Sequence, residues 1–142
     1  LVWGLTGMWR HQHHPQLLPE GTLLVFDNFD TDETSKVFEL NPITQEVLWV
    51  YEGSVENPLF TRTCGAAQRL PNGNTLITES NNGRAFEVSS DKQVVWVYVN
   101  PERAGDNGEF IADLMDVIRF PPGDPAIGWL ERKDGQADSG EH

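Results

Sequence analysis

Cysteine is nearly absent. One residue in 142, Cys64, excludes an intrachain disulfide and a zinc site made of several thiolates. Positive charge is scarce too: 10 Lys and Arg stand against 22 Asp and Glu, a formal net charge of −12. Phosphate binding needs a positive face, so the balance argues against nucleic acid as a partner and against docking on anionic lipid. No apolar run approaches the roughly 20 residues of a membrane span, so no membrane partner is expected. The chain opens on Leu1, in "LVWGLTG", with no basic segment or cleavage signal. That start reads as internal: a fragment, a processed chain or a partial reading frame. The compartment is left open. What is plentiful is aromatic mass. Five Trp and seven Phe, in a chain 38% hydrophobic, suffice to bury a core at the length of one domain.

The chain repeats itself. "PQLLPEGTLLVFD" at 15–27 returns as "AQRLPNGNTLITE" at 67–79, and "KVFELNPITQEVLWVYEG" at 36–53 returns as "RAFEVSSDKQVVWVYVN" at 84–100. Trp3, Trp49 and Trp96 are spaced 46 and 47 residues apart, and a third Pro-Gly turn, "FPPG", lies at 120–123. A period of this size is that of β-propeller blades. Each unit holds four strand-like runs, at 13–18, 22–28, 36–41 and 46–51, then at 65–70, 74–80, 84–89 and 93–99. No segment sustains a 3.6-residue period, so helix should be scarce. The fold expected is all-β, antiparallel, built of four-stranded propeller blades. A β-sandwich is the alternative, but it has no reason to repeat its sequence. The division expected is 1–7 as the last strand of a preceding blade, 8–53 and 54–100 as blades, and 101–122 as the start of the next. An acidic Gly/Asp-rich tail follows at 123–142. Trp49 and Trp96 should occupy equivalent buried positions.

Three of the four histidines cluster in "WRHQHHPQ": His11, His13 and His14. They begin the first, innermost strand of a blade. His13 aligns with Gly65 and His14 with Ala66, so the architecture itself does not demand imidazole there, and small residues opposite would leave room for a ligand. His11 and His13 share a strand face and two imidazoles can hold a metal, but no third ligand is identifiable, and no metal or other cofactor is expected. "DNFDTDE" at 27–33 gathers Asp27, Asp30, Asp32 and Glu33, yet lacks the Gly and Glu positions of a calcium loop. A solvated acidic loop is the reading adopted. Cys64 reads as a small buried thiol.

The stretches "QHHPQLLPEGTLLVFDN", "VFELNPITQEVLWVYEG" and "CGAAQRLPNGNTLITESNNGRAFEVSSDKQVVWVYVNP" resemble the arylsulfotransferase family, over about residues 1–122. The resemblance implies a six-bladed propeller and a PAPS-independent transfer of a sulfuryl group from a phenolic sulfate ester to a phenol. It implies a transiently sulfated histidine, and the Gln-His pair preceding "FDN" matches Gln12-His13, which makes His13 the candidate nucleophile. Gln12, His14, Thr63 and Arg84 are the candidates for substrate contact. The family's other site His and Arg residues lie on earlier blades; the local cations here are Arg10, Arg62 and Arg84. The partners implied are a small aromatic sulfate or phenol, and the compartment is periplasmic or secreted if the chain follows the family. A non-catalytic scaffold or ligand-binding propeller is the rival. Two blades leave open edges and wet apolar faces, so either a homo-oligomer, trimer or dimer, or further blades of a longer chain should complete the ring. Adjacent strand residues alternate faces, so His13 should face the channel and His14 away from it.

Overall fold

The computed structural model describes residues 3–6, 9–28 and 34–128. Asp30, Asp32 and Glu33 of the acidic loop, and the tail from residue 129, lie outside the described residues.

Two four-stranded antiparallel sheets form, each in simple sequential order. The first contains β1 (Gln12–Leu17), β2 (Leu23–Asp27), β3 (Lys36–Leu40) and β4 (Val47–Tyr51). The second contains β5 (Ala66–Arg69), β6 (Thr75–Glu79), β7 (Arg84–Val88) and β8 (Val94–Val99). A short hairpin, β9 (Arg103–Ala104) with β10 (Phe110–Ile111), follows. Among the described elements the one helix is the 3-10 turn Ser80–Asn82. The eight expected strands are all present. Pro15 is tolerated in β1 because β1 is an edge strand, where a missing N–H breaks no ladder bond.

The middle strands are the buried ones. β6 is buried at every position and β2 at four of five, which is why both read as continuous rather than alternating hydrophobic runs. Leu18, Leu24, Phe26, Val37 and Tyr51 of the first repeat join Ala67, Ile77, Phe86 and Val88 of the second in a single cluster. The sheets therefore share one core.

The contacts between repeats recur residue for residue. The Trp3 indole N–H donates to the Pro42 carbonyl at 2.8 Å, and the Trp49 indole N–H donates to Ser90 at 3.2 Å. Pro42 and Ser90 occupy the same place in the turn after the third strand of each sheet. Glu39 of β3 pairs with Arg69 at 2.6 Å, and Arg69 lies over Trp49 at 5.0 Å. Glu87 of β7 pairs with Arg119, which lies over Trp96 at 5.0 Å. The Gln16 side chain accepts from the Arg69 N–H, as Gln68 accepts from the Arg119 N–H. In the first sheet Leu17 stands at the arginine position and is 71% exposed.

Three expectations need correction. Residues 3–6 form no strand, and the Trp3 indole N–H bonds to the Pro42 carbonyl in the first sheet's turn. Residues 114–120 form no ladder either. They lie along the second sheet through Val117 N–H to Thr78 Oγ1, and through bonds in both directions between Gln68 and the Arg119 backbone. A strand needs a continuous backbone ladder, and the one backbone bond from 114–120 among the described residues, Leu114 N–H to the Ser80 carbonyl at 3.1 Å, does not extend into one. The outer-strand tryptophans are equivalent but not buried: Trp49 is half-buried and Trp96 is 39% exposed. The Arg119 guanidinium covers the Trp96 ring and Tyr98 stacks beside it.

Burial pushes the Glu87 carboxyl up, but hydrogen bonds from Asn74 and Asn72 and the Arg119 guanidinium outweigh it and hold it below the ordinary value. A depressed folded-state value means stabilisation that is present above the unfolded-state range near ~4.3 and lost as pH falls through the folded value. Glu87→Gln should therefore flatten the acid limb of the stability curve. Denaturant midpoints measured from neutral pH down to pH ~3 check this, and parallel acid limbs in both proteins would count against it.

Candidate functional site

The site is assembled where β1, the end of β2 and the loop before β5 meet. Gln12 pairs with Asp27 across β1 and β2, and His13 pairs with Phe26. The Asp27 carboxylate accepts the Arg10 backbone N–H. Asn28 follows at once. It is buried and clamps the loop: its amide donates to the Thr61 carbonyl at 2.9 Å and to the Cys64 carbonyl at 2.6 Å. Ser35 Oγ donates to Asn28 and accepts from the Thr61 N–H, closing the clamp from the other side. Loop 61–64 is thus fixed beside β1 by buried amide and hydroxyl groups.

Gly65 ends that loop at φ +100°, and a Cβ there would stand 2.5 Å from the Phe26 ring. The space opposite the histidines that a ligand was expected to use is filled by Phe26 at this position. Cys64, at φ +59°, is half-buried rather than buried.

The histidines differ sharply from one another. His11 and His14 both take positive φ, 65° and 48°, which L-residues with a Cβ adopt only at a cost. A register shift separates His13 from Gln16. The strict alternation expected of a regular strand is therefore broken at His14. Its ring extends sideways to the next sheet: Nδ1 lies 3.2 Å from the Ala67 carbonyl oxygen, and Nε2 lies 3.6 Å from Asp116 Oδ2. The His13 side chain is exposed and makes no hydrogen bond with any described residue.

The other expected contacts are dispersed. Gln12 is exposed beside His13 on β1. Thr63 is exposed and belongs to a polar network, its N–H and hydroxyl both facing Asn81 Oδ1, while Asn81 donates to Asp113. Arg84 is engaged elsewhere. Its Nε donates to Glu79 at 2.6 Å, its Nη2 donates to the Pro58 carbonyl, and its guanidinium covers the Phe86 ring at 4.5 Å. None of these contacts joins Arg84 to His13. Two surface clefts of about 510 and 590 Å³ lie away from His13, the larger between Leu18 and Leu70 beside the Arg69–Glu39 pair. Among the described residues no three His, Cys, Asp or Glu side chains are grouped as metal ligands.

Ala67, Asn28 and Asp116 contribute to this site without having been singled out from the sequence. For Asn28 the signal was available in "FDN", where an Asn follows the last strand residue and can cap the neighbouring loop. For Asp116 it was the repeat: Asp116, Ala66 and His14 each stand four residues before the Leu-Pro or Phe-Pro turn.

The family described as Arylsulfotransferase (ASST) matches residues 1–101. The chain belongs to the arylsulfotransferase family. Among solved structures, the chain is similar to the crystal structure of a protein of unknown function from Bacteroides caccae, at 19% identity and a TM-score of 0.48. The match covers 62% of this chain and 31% of that one. No curated protein matches. The matched span includes the Gln12-His13 pair and the Asp27-Asn28 end of β2 beside it.

Proposed function

We propose that the chain carries an arylsulfotransferase site in which His13 accepts a sulfuryl group from a phenolic sulfate ester and passes it to a phenol. The observation that supports this best is the exposed His13 ring, which makes no hydrogen bond with any described residue, in a chain of this family. A ring nitrogen with a free lone pair is what covalent catalysis needs, and neutral imidazole is a competent nucleophile near pH 7. The nitrogen attacks sulfur, the bond from sulfur to the aryl oxygen breaks, and the phenolate leaves and takes a proton. In the second half the acceptor phenol loses its proton, its oxygen attacks sulfur, and the nitrogen–sulfur bond breaks. Charge sits on the peripheral oxygens throughout and needs fixed donors. Gln12, next to His13 on β1, is the exposed donor nearest in sequence, while the Thr63 hydroxyl faces Asn81. Arg84, with its partners in the second sheet, is not part of this proposal.

The two sheets are further proposed to be blades of a propeller, with β1 and β5 lining its channel. The repeated Trp, Arg and Glu contacts support it, since they set each sheet against the next in the same way. Further blades, from more chain or from other copies, would complete the ring.

The test is incubation with 4-nitrophenyl sulfate. Release of 4-nitrophenol and a gain of one SO₃ on the peptide containing His13 are expected, and both should vanish in His13→Ala. Labelling of another residue, or none at all, would sink the nucleophile assignment. In that event the scaffold reading takes its place, favoured by the wet, apolar β8, where Val95, Trp96, Val97, Tyr98 and Val99 are each at least 39% exposed.

A further inference from the structure

We infer that Asp116 is a positioning residue that, with the Ala67 carbonyl, takes His14 out of competition and leaves His13 as the group-accepting histidine. Two adjacent histidines on one strand raise a question of selectivity, because either imidazole could attack an electrophile. The structure separates them by what their nitrogens face.

A carbonyl oxygen can only accept a hydrogen bond, so the Ala67 contact assigns the hydrogen of the His14 ring to Nδ1. That leaves Nε2 as the attacking nitrogen of a neutral ring, and Nε2 faces the Asp116 carboxylate at 3.6 Å. The carboxylate stands in front of that nitrogen, where an electrophile would have to approach, and its charge repels an incoming anion. Both effects disarm His14. His13 has neither neighbour.

The repeat explains how the pair forms. His14, Ala66 and Asp116 occupy the same position in three successive segments, and the middle one is a methyl group. Ala66 and Ala67 raise nothing in front of β5 that would block His14 and Asp116 from meeting across it. The positive φ at His14 turns its ring out of the strand's alternation and toward that gap. Asp116 is in turn held by its neighbours, with Val117 N–H on Thr78 and Arg119 N–H on Gln68. With side-chain exposures of 43% and 34% for His14 and Asp116, the pair contributes little to stability, as exposed ion pairs generally do. Its effect is on where the ring points and what its nitrogens meet.

Its meaning for catalysis rests on the sulfuryl-transfer reading, but it can be tested without that reaction. Diethyl pyrocarbonate acylates imidazole: a ring nitrogen attacks a carbonyl carbon, the ethyl carbonate group leaves and decays to ethanol and carbon dioxide, and the ring hydrogen goes to water. The full chain is treated at one pH, and the modified peptide is sequenced by fragmentation to separate His13 from His14. In the wild type, His13 should react roughly fivefold or more faster than His14, the weight of about one hydrogen bond. Asp116→Ala should speed His14 by a similar factor and change His13 by less than about twofold, with Asp116→Asn between the two because its oxygen still accepts. Equal rates in the wild type, or a His14 rate untouched by Asp116→Ala, would overturn the assignment. Circular dichroism of each variant guards against unfolding. A chain that shows the expected reactivities but no sulfation by 4-nitrophenyl sulfate would keep this inference and lose the sulfuryl-transfer reading.

Discussion

Arg84→Ala should destabilise the chain by about 3–5 kcal/mol, the range for stripping one partner from a buried ion pair. The Glu79 side chain is 2% exposed, and its two oxygens divide the work: one accepts the Phe60 N–H, the other the Arg84 Nε–H. Removing the guanidinium leaves a buried carboxylate with half its partners. It also uncovers the Phe86 ring and releases the Pro58 carbonyl that fastens the connection between the sheets. Urea unfolding measures the loss. A change below about 1 kcal/mol, the ceiling typical of exposed pairs, would show that the arginine is available for a substrate after all.

Phe26→Ala should cost a similar amount, about 3–5 kcal/mol, by the transfer and cavity terms of a large core side chain. Phe26 is fully buried in β2 and serves two neighbours at once. It stands opposite His13 in the strand register, and its ring fills the space beside Gly65. The cavity would therefore open directly behind the candidate nucleophile. A second consequence should follow in the same variant: faster amide exchange in β1 and in the loop before β5, with β7 and β8 changed much less. Uniform loss of protection over both sheets would mean that the two units do not open separately.

Much of the architecture was legible because the sequence says everything twice. The Leu-Pro-x-Gly turns and the aromatic outer strands located all eight strands to within a residue or two. The burial of the tryptophans was not legible. Trp96 has the same sequence environment as Trp49, and only the presence or absence of a covering turn decides how wet each becomes. The role of Arg84 was readable in principle. Each second strand ends on an acid and each third strand begins on a base, Asp27 opposite Lys36 and Glu79 opposite Arg84. Opposite charges placed directly across a hairpin mark a structural pair before a free cation. The twist at His14 was not readable, since nothing in "QHHPQ" announces a residue with positive φ. The register shift between His13 and Gln16 breaks the alternation at His14.

The seam between the sheets has a direction. At the seam between the two sheets, Trp49 sends its indole N–H forward to the second unit's turn and receives Arg69 from that unit's leading segment onto the same indole. The two sides of such a seam are different objects: one offers Trp and Glu, the other a carbonyl and Arg. A face of this kind cannot mate with a copy of itself, as a twofold interface must; it accepts only its complement, head to tail. Duplicating a unit therefore supplies both halves of a new seam at once, and the chain could lengthen by copying without designing any new contact.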